Sequence, residues 1–98
     1  MGISIAVQDQ IHNRVRIYDG PVADTLSEMA LSAPSGTMIG EIHAYADTMF
    51  NSYQLTLFLN ELPRTPTSNE REEELVAVLV EAAEDAISRH GYLWFSGD

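Results

Sequence analysis

Cysteine is absent from this 98-residue chain, which removes disulfide frameworks, zinc-thiolate sites and thiol nucleophiles together. Lysine is missing too: all five bases are arginine, set against fifteen acids, for a formal charge of −10. Such a charge repels phosphate backbones and anionic bilayers, so no nucleic-acid or membrane partner is expected. No stretch approaches the roughly 20 apolar residues of a membrane span. Residues 3–7 are too short and lack the basic lead of a signal peptide. Met1-Gly2 begins like an acylation signal, but Ala6 stands where Ser or Thr is needed. A cytoplasmic location is the resulting expectation. Glycine-rich phosphate loops, nucleophile elbows, HExxH pairs, calcium loops and internal repeats are also lacking, so no motif-borne catalytic residue, cofactor or metal is expected.

What is present suits one modest domain. Apolar residues make up 45% of the chain, enough for a packed core rather than disorder. A chain this long buries roughly 60–65% of its extended surface.

The clearest local pattern lies in the last third. Thr67 and Glu70 have capping-box spacing, with Ser68 or Asn69 as alternative caps, and Glu70, Glu72, Glu73 and Glu74 crowd the first turns where the helix dipole favours negative charge. Leu75, Val76, Leu79, Val80, Ala83, Ala86 and Ile87 recur every three or four residues, predicting an amphipathic helix over 69–90. Arg89 and His90 fall in its last turn, and Gly91 stands where a left-handed C-terminal cap is wanted. Tyr92, Leu93, Trp94 and Phe95 follow as a strand, with Tyr92 and Trp94 on one face and Leu93 and Phe95 on the other. One pair should enter the core. The other needs cover from a helix, a second subunit or a ligand.

Upstream, residues 3–7 and 14–18 alternate with the two-residue period of half-buried strands, joined by a polar connection at 9–13 into a hairpin whose arginines would share a face. Asp19-Gly20-Pro21 ends the second strand and opens a short amphipathic helix over 22–33. Residues 37–62 are ambiguous, because 38–46 and 53–60 each fit both a helical and a strand period. Asp47 before Thr48 is a good N-cap and Pro63 a good stop, favouring an extended edge segment near 39–45 and a helix over 48–62. Pro63 and Pro66 read as a stiff linker. The expected fold is α+β: a small two-layer domain with the N-terminal hairpin and C-terminal strand in one mainly antiparallel sheet, covered by about three helices.

The pieces Tyr45-Ala46-Asp47-Thr48-Met49-Phe50-Asn51, Gln54-Leu55 and Glu61-Leu62, with the ending Tyr92-Leu93-Trp94-Phe95-Ser96-Gly97-Asp98, resemble a family of small uncharacterised bacterial proteins. The resemblance covers about the last 55 residues. It implies a helix from Gln54 to Leu62 and carries no activity with it.

Two functional readings follow. The first is a non-catalytic interaction module, of an inhibitor or immunity type, whose acidic helix face (Glu73, Glu74, Glu81, Glu84, Asp85) meets a basic protein, with Tyr92 and Trp94 as a second contact surface or homodimer seam. The second is a small-molecule enzyme or ligand-binding domain. Glu41 and His43 would point to one side of an extended segment, with Asp47 joining if the chain stays extended. Asn51 and Gln54, three apart, would either present amides to a ligand or satisfy local backbone groups. His12 and His90 have no local partner at ligand spacing.

Overall fold

A computed structural model describes residues 2–97. Four strands, β1 (Ser4–Gln8), β2 (Arg14–Tyr18), β3 (Asp47–Phe50) and β4 (Tyr92–Ser96), form one antiparallel sheet in the order β2-β1-β4-β3. Helices α1 (Pro21–Ser32), α3 (Ser52–Glu61) and α4 (Glu70–Ser88), with the single turn α2 (Met38–Glu41), pack on one side of it. The architecture is the expected two-layer α+β domain.

Alternation in the strands decides which side chains meet the helices. Ile3, Ile5 and Val7, Leu93 and Phe95, and Phe50 lie in the core beside Leu26, Leu55, Phe58, Leu75 and Leu79. Most of these are fully buried, each such side chain contributing about 1.5–3 kcal/mol. Phe50, Phe58 and Phe95 meet edge to face, with ring centroids 5.3 to 6.4 Å apart, and so lock β3, β4 and α3 together. Helix α4 touches β1 and β4, the two central strands, and packs against both α1 and α3.

The start and stop of α4 follow the chain's own signals, with a shift at each. Asn69 is the N-cap, its side chain accepting from the Glu72 N–H, while Glu72 Oε1 accepts from the Ser68 N–H. At the far end the Gly91 N–H reaches Ala86 O at 2.9 Å and the His90 N–H reaches Ile87 O at 2.9 Å, the paired bonds of a Schellman motif. The left-handed residue is His90, with φ of 54°, and not Gly91. Gly91 is needed for a different reason: a Cβ there would overlap the backbone carbonyl of Gln8, where β4 begins beside β1.

Three expectations are corrected. The edge strand lies at Asp47–Phe50, not near 39–45; there the chain instead makes α2 and a bend. The turn forms because the Thr37 side chain accepts from the Gly40 N–H, while the Glu61 carboxylate, 22–23 residues away, accepts from the Met38 and Ile39 N–H groups at 2.8 and 3.1 Å. Helix α3 starts at Ser52 rather than Thr48, and Asp47 is a strand residue rather than a cap. In β2 the faces are the reverse of a simple apolar-inward reading. Arg16 pairs with Val7 and Tyr18 with Ile5 on the helix side, leaving Val15 and Ile17 outside; a register jump at Val7/Gln8 brings Arg14 opposite Gln8, so the two arginines do not share a face.

Candidate functional site

The Glu41–His43–Asp47 constellation depends on an extended backbone, which this segment lacks. Glu41 ends α2, exposed. His43 lies in the bend beyond it: its backbone N–H donates to Thr48 Oγ1 at 2.9 Å, and its Nδ1 accepts a long bond from the Tyr45 N–H at 3.4 Å. Asp47 starts β3 opposite Ser96. Among the described residues no group of three His, Cys, Asp or Glu side chains is placed to hold a metal ion. Among the clefts that indent the surface of the described residues, two stand out. One, of about 400 Å³, lies between the end of α1 and the start of α4, with Met29, Pro34, Ile39, Arg64 and Pro66 in its walls; the other, of about 330 Å³, opens beside Gly2 and Gly97. Glu41 and His43 line neither.

Asn51 and Gln54 are occupied locally. Asn51 Oδ1 accepts from the Gln54 N–H and Gln54 Oε1 accepts from the Asn51 N–H, both at 2.9 Å, a reciprocal capping box that starts α3. Thr48, by taking the His43 N–H, pins the bend to β3. Gly97 closes the same corner: its N–H donates to Ala46 O at 3.0 Å, and a Cβ would press on the carbonyl groups of His43 and Ala44.

The acidic residues separate by layer. The four helices carry eleven acids, seven of them on α4, whereas the strands carry only Asp47. Of the five acids singled out on α4, Glu81 pairs with Arg16 at 3.3 Å and Asp85 with Arg89 at 2.8 Å. Glu73, Glu74 and Glu84 are exposed, and their carboxylates have no partner among the described residues. The Tyr18 hydroxyl lies buried and unpartnered at this seam between layers, and burial, reinforced by the Glu81 charge, pushes its pKa up.

The opposite face of the sheet bears no helix among the described residues. Strand register aligns Ile17, Ala6, Trp94 and Met49 in one row across all four strands. Trp94 is half-buried, while Ile17, Val15 and Met49 remain 53%, 40% and 38% exposed. Tyr92 is partly covered by His12, whose ring stacks on it at 4.1 Å and whose Nδ1 lies 2.8 Å from Gln8 Oε1. His12 is held there by a hairpin turn in which Asp9 Oδ1 accepts from the Ile11 and Asn13 N–H groups; the Asn13 bond, first among the causes, lowers the Asp9 pKa. Val15, Ile17 and Met49 are the surface residues that sequence reasoning missed. The signal for the first two was the strand alternation itself, assigned to the wrong side.

The segments carrying the resemblance run through β3, α3 and β4 and the residues that flank them, with Asp98 outside the described residues. Neither family models, nor characterised proteins, nor solved structures match this chain. No helix of the described residues is long and apolar enough to cross a membrane.

Proposed function

We propose that this chain is a non-catalytic cytoplasmic interaction module, of an inhibitor or immunity type, whose acidic helical layer engages a basic protein. The observation that carries the reading is the segregation of charge: eleven acids sit on the helices and one on the strands. A uniformly acidic shell would serve solubility alone. A one-sided layer projects a directional field that speeds encounter with a complementary surface and disfavours acidic competitors. Glu73, Glu74 and Glu84 are the centre of that surface, because their charges are not already offset by an arginine. Glu81 and Asp85 contribute less, each sharing its charge with a neighbour. A small-molecule site at Glu41 and His43 lacks comparable support, since they line neither of these two clefts.

The test is affinity capture from native cytosol at low ionic strength. Wild-type protein is expected to retain a basic protein that elutes as salt rises, and the triple variant Glu73→Gln/Glu74→Gln/Glu84→Gln to retain at least tenfold less, as expected when several charge contacts are removed. Recovery of no basic protein, or equal recovery by both forms, rejects the reading.

A further inference from the structure

The uncovered sheet face carries two strand charges, Arg14 and Asp47, and their positions are complementary. Arg14 lies on the β2 edge beside Gln8, and Asp47 on the β3 edge beside Ser96. Gln8 and Ser4 are opposite ends of β1, facing Tyr92 and Ser96 respectively, so the two charges occupy diagonally opposed corners. Neither side chain has a polar partner among the described residues. Between them run Ile17, Ala6, Trp94 and Met49, bordered by Val15 and Tyr92.

We propose that this face binds a second copy of the same chain, in a two-fold dimer that sets each Arg14 over Asp47 of the partner subunit. The sheet spans about 14 Å across its strands and about 13 Å from the Gln8 row to the Ser4 row, from a strand spacing of about 4.8 Å and a rise of about 3.3 Å per residue. The Arg14–Asp47 diagonal therefore runs at about 45° to the strands. A two-fold axis lying between the sheets and perpendicular to that diagonal superposes Arg14 on Asp47 twice over, an isologous contact. The same operation turns the strands by about 90°, which is one of the two arrangements in which sheets pack face to face. Trp94, in the central row, meets its own copy close to the axis.

Charge also selects a second copy over other occupants. A chain at −10 repels itself wherever its helical layers approach. In this dimer the helices lie on the far sides of two sheets about 10 Å apart, so the acidic surfaces are separated by well over the Debye length of about 8 Å. A basic partner gains little here, because the face has one charge of each sign. Pairing along the sheet edges is disfavoured: β2 carries two arginines, and β3 is four residues long with an aspartate. Four strands of four or five residues offer a footprint toward the low end for specific association, so the dimer is expected to be reversible.

Analytical ultracentrifugation over about 1–500 μM, a range bracketing micromolar affinity, tests this. Wild type is expected to shift from monomer to dimer, with a change in emission from Trp94, the single tryptophan. Arg14→Asp and Asp47→Arg should each weaken association at least tenfold, because each sets like charges against one another, and the double exchange should restore it to within about threefold. Both positions are exposed, and circular dichroism verifies that the variants fold. A wild type that stays monomeric at the highest concentration overturns the proposal, as does a dimer indifferent to both single exchanges or one that the double exchange fails to restore. None of these outcomes involves a basic protein, so the acidic-layer reading stands or falls separately.

Discussion

At the scale of single residues, two neighbours at the end of α4 have exchanged the roles that their side chains suggest. His90 adopts the left-handed conformation in which glycine is at ease, while Gly91 spends its missing side chain on the approach of β4 to Gln8. Gly91→Ala should therefore unfold the protein or cost more than about 3 kcal/mol, since backbone must move to admit the methyl group. His90→Gly should raise stability by up to about 1 kcal/mol by relieving the left-handed strain. Chemical denaturation of the two variants checks both, and the opposite order of stabilities would refute the assignment. The sequence showed that a helix ended here. It could not show which residue turned left, because that depends on Gln8, more than 80 positions away.

At the scale of elements, the parts legible in the sequence were those whose signals are local. Helix α4 carries its cap, its apolar stripe and its stop within 25 residues, and β4 alternates cleanly between half-buried and buried residues. Strand β3 and the turn α2 were misplaced because their causes are distant: α2 is held by the carboxylate of Glu61, and β3 exists because β4 pairs with it. Asp47-Thr48 looks like a cap, yet the cap of α3 is Asn51 with Gln54. Of the two roles open to that amide pair, the bonds observed are the structural one. Asn51→Ala is expected to destabilise the protein by about 1 kcal/mol, with Asn51→Asp or Asn51→Ser retaining most of the stability. Thermal melts of the three variants check this, and an Ala variant as stable as wild type would show the box to be incidental. The sheet-face patch was half legible. Tyr92 and Trp94 were found by alternation, whereas Val15 and Ile17 were hidden because β2 turns Arg16 and Tyr18 toward the helices, where Glu81 receives Arg16.

At the scale of the whole molecule, a strongly acidic helical layer is joined to a nearly neutral sheet, and Tyr18 sits at the join. Its raised pKa means that the folded state holds the phenolic proton more tightly than the unfolded chain. That stabilising contribution is complete below the ordinary tyrosine value of about 10 and is lost as pH rises through and above it. Melting temperatures measured from pH 8 to pH 11 should fall for the wild type, and Tyr18→Phe should lose less over the same range. Tyr18→Phe also removes a buried hydroxyl without a hydrogen-bond partner, so at pH 7 it should be neutral or slightly stabilising. Parallel curves for the two proteins would show that Tyr18 is not the source of the alkaline loss.

The strand order β2-β1-β4-β3 also has a meaning in time. Strand β1 is made early and waits for β4, because its second neighbour lies some 85 residues downstream. Until then the hairpin has no covered face and α4 has no completed floor. A pairing at that separation costs loop-closure entropy before its contacts form, so the β1–β4 contact is expected to slow folding relative to a chain of local contacts alone. During synthesis the strand carrying Trp94 emerges after the other three strands of its sheet, and it fills the place between β1 and β3.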